Sequence, residues 1–458
     1  MQKKLFFKVL IITALMLLIG IALMMIQSTI RERMAFRDEA ARSIANDSVG
    51  EQTVIGPVLV IPYIDEFETR EIAKEGGKTV VTAHTVRRTH LVFPNDLRIK
   101  GAIGIERRYR GIHQVLVYNG RHEFTGDFTL PSFSELARDS AASRITFERP
   151  YLALPVADVR GIRDIPKINW DGREIEFEQG AELRAHKSGM HAQLEVADLR
   201  QGARAAFSFT LGLSGIERQH FVPVGKNNLV SVTSPWPHPQ FGGRFLPEQR
   251  TITGDGFAAA WRISALATGA QQQLAQQERG EAPAGALDTF SVGFIEPVNI
   301  YSQADRATKY GLLFVALTFA AFFVFEILKR LAIHPVQYLL VGLALAMFFL
   351  LLVGLSEHID FLISYLIASA ACIVLTGFYL AHVLGQRRRG IGFGVVLTLL
   401  YGALYGLLSS ENNALLLGSL LLFAVLAALM VATREVDWYR LGGPVGDVAD
   451  SGPAPTTA

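Results

Sequence analysis

The sequence predicts an integral membrane protein with six transmembrane helices and a large β-rich, sandwich-like domain inserted between helices 1 and 2. Three observations predict this class. Half of the 458 residues are hydrophobic, the apolar residues concentrate in six windows, and the segment between the first two windows alternates apolar and polar residues. The net charge of +2 gives no strong field that would attract nucleic acid. The single cysteine, Cys372, excludes an intramolecular disulfide framework and a multi-cysteine metal site.

Each of the six windows is close to the roughly 20 apolar residues that cross a bilayer core as a helix. They comprise residues 9–27, 310–328, 335–355, 361–384, 391–408 and 414–433. Five of these runs follow one another in tandem, which is not how the buried helices of a soluble enzyme are arranged. The first window follows a basic start, but it is longer than the core of a signal peptide, and no A-x-A-like cleavage site follows it. We therefore expect an uncleaved anchor.

The basic residues of the short loops predict the orientation. Lys3, Lys4 and Lys8 precede the first window, and Lys or Arg also follows the second, fourth and sixth windows. The loops 356–360 and 409–413 on the other side contain neither Lys nor Arg. Both termini are therefore expected in the cytoplasm, and the large domain is expected in the periplasm if the source is a Gram-negative bacterium.

This topology predicts four segments. They are an N-terminal cytoplasmic end with its anchor helix at 1–27, a periplasmic β-rich domain at 28–308, a five-helix transmembrane bundle at 309–433 and a disordered cytoplasmic tail at 434–458. A helix over 32–44 is expected to continue the anchor. The tail is predicted to be disordered because it is rich in Gly, Pro, Ala, Ser and Asp.

Alternation with a period of two predicts half-buried strands in the large domain. It is clearest at 124–130, 207–213 and 257–263, where apolar residues or glycine occupy every second position. The tetrapeptide Tyr-Asn-Gly-Arg at 118–121 predicts a two-residue hairpin turn. The Gln-rich segment 268–287 predicts a helical or mobile excursion before the last strand.

Nine residues are candidates for function, although no catalytic, cofactor-binding or metal-ligand set can be assigned. They are Trp236, His238, Asp305, Arg306, Glu326, His334, Glu357, His358 and Glu411. Glu326 is the only Asp, Glu, Lys or Arg within the six windows, and a carboxylate inside a span is costly. Lys329 and Arg330 lie three and four positions further on, so ion pairing at the cytoplasmic interface explains Glu326 without a function.

Glu357, His358 and Asp360 lie at the outer mouth of the third and fourth windows, and Glu411 lies in the other outer loop. If these acidic groups and the imidazole face one another, they form a site that binds a cation or relays protons. Solvated loop residues without a function are the alternative.

The segment 234–241 contains three prolines around Trp236 and His238. Because proline restricts the backbone, this segment predicts either a stiff loop for docking a partner or a rigid connection between strands. His334 precedes Pro335 at the start of the third window, where a helix start at headgroup level explains both residues.

The segment 305–310 joins the large domain to the second window. Asp305 and Lys309 are spaced for an ion pair on one face of a helix, and Arg306 lies between them. We expect this pairing to be structural, because it would fix the angle of the domain on the membrane.

The sequence resembles the CreD family of bacterial inner-membrane proteins. The resemblance rests on eight motifs: VIGP at 54–57, VRGI at 159–162, SPWPHP at 234–239, DRATKY at 305–310, HPVQYLLVGL at 334–343, LSEH at 355–358, NALLLG at 413–418 and DWY at 437–439. It implies an inner-membrane protein linked to cell-envelope integrity, induced through a two-component system and associated with altered colicin tolerance. It implies no catalytic residue and no substrate.

Three functional hypotheses follow. The leading one is a non-enzymatic envelope-integrity and stress-response protein whose outer domain binds an envelope protein or glycan, while the helices anchor it in the lipid bilayer. The second is a transporter or channel with Glu326, Glu357, His358 and Glu411 along its path. The third is a membrane-bound enzyme that uses His238, His334 or His358, and it is disfavoured because no arrangement of nucleophile, base and orienting group is visible. The absence of a Walker A motif leaves ATP-driven transport without support, and the absence of H-E-x-x-H and G-x-S-x-G does the same for common metalloproteases and esterases. No cofactor is expected, and a homo-oligomer is left open.

Overall fold

The computed structural model describes residues 2–47, 49–72, 79–110, 113–132, 136–199, 202–296, 300–329, 333–383, 387–409 and 414–434. The chain forms two compact units. The membrane unit comprises Met1–Phe36 and Val298–Ala458, and the β unit comprises Arg37–Pro297. The tail that the sequence predicts to be disordered lies outside the described residues from position 435 onward.

The described residues form eight α-helices. They are α1 (Gln2–Asp47), α2 (Ala270–Arg279), α3 (Ile300–Lys309), α4 (Gly311–Lys329), α5 (Pro335–Ser356), α6 (Phe361–Val383), α7 (Arg387–Ser409) and α8 (Ala414–Thr433). Helix α2 belongs to the β unit, and it confirms the helical alternative for the Gln-rich segment. Helix α1 continues through the predicted anchor and the predicted extension at 32–44 without a break.

Five helical segments are long and apolar enough to cross a membrane, judged by length and composition. They are Phe6–Ile44, Ser302–Ile327, Pro335–Ser356, Phe361–Val383 and Gly390–Ser409. In α8 the apolar stretch among the described residues, Leu416–Val431, is shorter. Five of the six predicted windows therefore fold into helices that are able to span a bilayer, and the sixth span stays a prediction.

Helix α5 shows how local sequence and packing fix an element of the membrane unit. It begins at Pro335, and the His334 ring accepts a hydrogen bond from the Val336 amide at 3.3 Å. Further along, a Cβ on Gly342 would lie 1.9 Å from Ile19 of α1. The absence of a side chain at this glycine is therefore what allows α1 to approach α5 so closely.

The β unit contains eighteen strands in its described residues. They are β1 (Gln52–Ile55), β2 (Val58–Ile72), β3 (Thr79–Val92), β4 (Asp96–Arg110), β5 (His113–Thr129), β6 (Arg144–Phe147), β7 (Tyr151–Pro155), β8 (Lys167–Trp170), β9 (Arg173–Glu176), β10 (Glu178–Gln179), β11 (Gly189–Gln193), β12 (Arg204–Ile216), β13 (Arg218–Val222), β14 (Asn227–Ser234), β15 (Pro239–Gly243), β16 (Gln249–Thr253), β17 (Gly256–Ser264) and β18 (Phe290–Phe294). The three clearest alternating runs of the sequence all lie in strands, namely β5, β12 and β17. The β-rich prediction is therefore confirmed.

The strands form three sheets. A four-stranded sheet has the order β1-β13-β18-β15, a six-stranded sheet has the order β10-β11-β7-β2-β3 with β6 also paired to β2, and an eight-stranded sheet has the order β16-β17-β14-β4-β5-β12-β8-β9. One hydrophobic core collects residues from all three sheets. Trp261 of β17 packs against Phe290 of β18 with ring centroids 5.1 Å apart, so aromatic contacts join the eight-stranded sheet to the four-stranded one.

The eight-stranded sheet ends on both sides in a short strand. Strand β16 has five residues, and all of them are exposed. Strand β9 has four residues and carries Arg173, Glu174 and Glu176. Short charged edges of this kind offer little backbone for pairing with another chain.

The predicted hairpin turn at 118–121 is wrong, because strand β5 runs through it without interruption. Asn119 pairs with Gly104 of β4 on one side and with Ser214 of β12 on the other. Gly120 is needed for packing and not for a turn. A Cβ at this position would lie 2.5 Å from the Nε2 atom of His122, so the glycine makes room for a buried imidazole.

His122 is a fully buried histidine in the core of the β unit. Its Nε2 atom accepts a hydrogen bond of 3.0 Å from the side-chain amide of Gln219 on β13. Burial lowers the pKa of His122 to about 4. The imidazole is therefore neutral in the folded chain at neutral pH.

We expect the β unit to lose stability as the pH falls from about 6.5 to about 4. Because the fold disfavours the charged form of His122, the unfolded chain takes up this proton first. The contribution of His122 to the free energy of unfolding is complete above the ordinary histidine pKa. About 3 kcal/mol of this free energy is lost by the time the pH reaches the folded pKa of about 4.

Urea unfolding of the full chain in nanodiscs checks this prediction. Tryptophan fluorescence reports mainly on the β unit, which contains Trp170, Trp236 and Trp261 of the four tryptophans. His122→Gln keeps a hydrogen-bonding partner for Gln219 but cannot titrate, so its stability should depend less on pH. His84→Gln is the control at a half-buried histidine, and an equal flattening in both variants would contradict the assignment to His122.

Candidate functional site

The buried carboxylate of Glu326 is the centre of a polar network in the membrane unit. Tyr338 of α5 donates its hydroxyl hydrogen to Oε2 at 2.9 Å, and the amide of Ile333 donates to Oε1 at 3.2 Å. Lys8 of α1 forms an ion pair with Oε1 and also donates to the carbonyl oxygen of Ile333 at 3.2 Å. Glu326 is only 5% exposed. Its two carboxylate oxygens therefore receive hydrogen bonds from α1, from the segment before α5 and from α5 itself.

The sequence suggests a different ion-pair partner for Glu326. The predicted partners are Lys329 and Arg330, and their side chains lie outside the described part of the chain. The partner that the structure shows is Lys8, which is 318 positions away. A sequence signal for this pair exists, because Lys8 immediately precedes the first apolar window and would lie near the same membrane boundary as the end of α4. By itself, the position of Lys8 in the sequence indicates only the orientation of the first span.

Asp305 forms a second polar contact between α1 and the following helices. Its Oδ2 atom lies 2.6 Å from Nζ of Lys309, and its Oδ1 atom accepts a hydrogen bond of 3.2 Å from Gln27 of α1. The predicted helical pair of Asp305 and Lys309 is thus present. Arg306 donates to Ser302 at 3.4 Å on the same helix. These contacts are consistent with a structural role for the segment.

The candidate residues after α5 have separate partners. Glu357 ends α5 and pairs with Arg33 of α1, with Nε and Oε1 3.5 Å apart. Asp360 accepts a hydrogen bond of 2.9 Å from the Leu362 amide at the start of α6. His358 is exposed. Glu411 lies outside the described residues, so a cluster of these groups that binds a cation or relays protons stays a prediction.

The proline-rich segment of the β unit is held against the end of β18. The indole nitrogen of Trp236 donates to the carbonyl oxygen of Ile295 at 3.1 Å. The guanidinium of Arg107 lies 5.2 Å from the Trp236 ring centroid and also forms an ion pair of 2.9 Å with Glu296. His238 packs edge-on against Trp236, with ring centroids 6.1 Å apart. These contacts favour the rigid-connection alternative, and no local motif in the sequence points to Arg107 or Glu296.

Among the residues that the structure describes, no group of three or more His, Cys, Asp or Glu side chains is placed to hold a metal ion. His334 acts as the cap of α5, and it is exposed. Glu326 and Glu357 of the membrane unit are instead paired with basic residues of α1, and Glu326 is the more buried of the two.

The fold and these contacts define a class: a helical membrane protein that carries a large β-rich unit between its first and second membrane-capable helices. A sequence model of the family described as Inner membrane protein CreD matches residues 4–439. Inner membrane protein CreD of Escherichia coli (strain K12) is 35% identical over 444 residues, which cover 97% of this chain and 96% of the relative. The chain therefore belongs to the CreD family, and it is a multi-pass inner-membrane protein.

Solved structures with some likeness to this chain include peptidases, but the likeness is too low to carry an argument. The M1 zinc metallopeptidase of Deinococcus radiodurans has a TM-score of 0.21 and 9% sequence identity, with 44% of this chain and 42% of that chain covered. A mutant of that enzyme with bound substrate has a TM-score of 0.23 and 13% identity over the same shares. This chain thus spans less than half of the length of those structures.

We expect Glu326→Gln to destabilise the membrane unit by about 3 kcal/mol, because it leaves the ammonium of Lys8 without its counter-charge. Lys8→Met combined with Glu326→Gln should cost less than the two single substitutions added together. SDS-induced unfolding of the full chain in mixed micelles measures this coupling.

Lys309→Met with Asp305→Asn is the matched control, since the Lys309 side chain is 59% exposed and its pair should couple by less than about 1 kcal/mol. Additive effects of Lys8→Met and Glu326→Gln would show that the two residues are not coupled.

Proposed function

We propose that this protein supports cell-envelope integrity and stress resistance, including colicin tolerance, as a binding module held at the inner membrane. In this proposal six helices cross the membrane, both termini are cytoplasmic and the β unit is periplasmic. The β unit binds an envelope protein or glycan, and the helices anchor it in the lipid bilayer. The protein then acts by contact and not by chemical turnover.

The pairing of Glu326 is the observation that carries the anchoring role. A carboxylate on a transport path has to exchange its partners with the transported ion or solute. Both oxygens of Glu326 are already occupied by Lys8, Tyr338 and the Ile333 amide. These donors come from different elements of the membrane unit, so the network serves to hold the helices together.

The distribution of basic residues supports the proposed orientation. Lys8 lies at the N-terminal end of the first apolar window, and Arg387, Arg388 and Arg389 begin α7. The loop 356–360 at the other end of α5 contains no Lys or Arg. Under the positive-inside rule this asymmetry supports a cytoplasmic position for Lys8 and the start of α7, and a periplasmic position for the β unit.

Cysteine labelling tests the orientation with low background, because the only native cysteine, Cys372, is buried. Gly254→Cys lies in an exposed turn between β16 and β17, and Ser451→Cys lies in the tail. A membrane-impermeant maleimide, applied to cells with a permeabilised outer membrane, should label position 254 and not position 451. Labelling of position 451 alone would reverse the proposed topology.

Complementation tests the anchoring role. Lys8→Met with Glu326→Gln removes both charges together, so we expect the doubly substituted protein to remain in the membrane and to restore colicin tolerance to a strain that lacks the protein. Glu326→Gln alone should reduce the amount of folded protein. If the double variant is present at normal abundance but fails to restore tolerance, the carboxylate itself is needed, and the transporter hypothesis is favoured.

A further inference from the structure

The β unit contains a cavity of about 480 Å³. This cavity is lined by none of the nine candidate residues that the sequence suggests. Its walls come from β1, the end of β7 and β13, together with the segments 185–188 and 285–289. It therefore lies where the four-stranded and six-stranded sheets meet. The volume falls within the range of about 300–1,000 Å³ that is usual for small-molecule sites.

The floor of this cavity is apolar. Four of its lining residues belong to the hydrophobic core of the β unit, and each is at most 9% exposed: Ile55, Val156, Val222 and Leu287. A ligand group that displaces water from this floor gains about 25 cal/mol for each Å² of apolar surface that it buries. The floor therefore favours an aliphatic group.

The rim of the cavity carries one lysine and two imidazoles. Lys187, His186 and His220 line it, and no Asp or Glu does. Lys187 is exposed, and within the described part of the chain no carboxylate forms an ion pair with it. The lining contains no arginine, so it lacks the forked donor that is suited to phosphate. One ammonium group matches the charge of a single carboxylate.

Neighbouring groups fix the orientation of both imidazoles. The Nε2 atom of His186 lies 2.8 Å from Oε1 of Gln277, and the Gln277 amide nitrogen donates to the carbonyl oxygen of Gly285 at 3.3 Å. The Nε2 atom of His220 lies 3.3 Å from Oε2 of Glu51. The same ring nitrogen is therefore engaged in both histidines, which leaves Nδ1 of each ring for a further partner.

We propose that this cavity binds a small aliphatic carboxylate, with the carboxylate at Lys187 and the aliphatic group on the floor formed by Ile55, Val156, Val222 and Leu287. This inference deepens the proposed function and rests on it in one respect, namely that the β unit is a binding module. Two sources present this chemistry: a free aliphatic acid and the C-terminal end of a peptide with an aliphatic last residue.

Saturation-transfer difference NMR on the full chain in lipid nanodiscs tests the proposal with small, soluble probes. N-acetyl-leucine has both the carboxylate and the aliphatic group, N-acetyl-leucinamide lacks the charge, and acetate lacks the aliphatic group. We expect saturable binding of N-acetyl-leucine with a Kd on the order of 1 mM, because so small a ligand buries little surface. Hexanoate in a parallel titration distinguishes a free acid from a peptide end.

Three variants locate the binding. Lys187→Gln should weaken N-acetyl-leucine binding about 5- to 10-fold, and Ala286→Trp, at an exposed lining position, should abolish it by filling the cavity. Lys100→Gln removes an exposed lysine of β4 that does not line the cavity, and it should change nothing.

The proposal is overturned if N-acetyl-leucine and its amide bind equally, if neither N-acetyl-leucine nor hexanoate binds, or if Ala286→Trp binds like the parent chain. If ligand binding fails but the double variant of Lys8 and Glu326 restores tolerance, the binding proposal for the cavity is rejected and the proposed function stands. Saturable binding together with failed complementation would reject the anchoring role alone.

Discussion

A carboxylate in an apolar helix has to be matched by donors from elsewhere in the chain, and this constraint organises the membrane unit. Glu326 lies near the end of α4, where water does not compensate for its charge. Its partners come from α1, from the residues that precede α5 and from α5. The register of three helices is thereby linked at one point, because sliding any one of them by a turn of about 5 Å would separate the charges. Gly342 lets Ile19 of α1 pack directly against α5.

The β unit is organised by a different constraint, because its three sheets share one hydrophobic core. Strand β5 is the longest strand among the described residues, and it pairs along most of its length with both β4 and β12. Two glycines of β5 are needed because neighbouring groups pack too closely to leave room for a side chain. Gly120 makes room for His122, and a Cβ on Gly126 would lie 2.0 Å from the carbonyl oxygen of Asp96. Polar and small residues inside this core therefore reflect close approach between strands.

The helices and strands can be predicted from the sequence better than the long-range contacts between them. Apolar windows identify the spans because a helix in lipid has to be apolar along its whole length, and alternation identifies β5, β12 and β17 because each has one buried face. The Asn-Gly pair at 119–120 was misleading, since the same residues that form a tight turn also fit a crowded strand. Lys8 and Glu326 are 318 positions apart, and the cavity collects residues from five segments. Such long-range contacts follow from the packed fold. The position of Lys8 before the first window indicates the membrane boundary at which it lies, but it does not identify Glu326 as the partner.

The short outer strands β9 and β16 bear on how densely such a protein can accumulate. Molecules confined to a surface collide far more often than molecules in a volume. The open edges of sheets are where copies of a β protein pair with one another. Here one margin carries one basic and two acidic groups over four residues, and the other is limited to five residues. Copies of the chain that crowd together in a plane therefore gain little by pairing through the eight-stranded sheet.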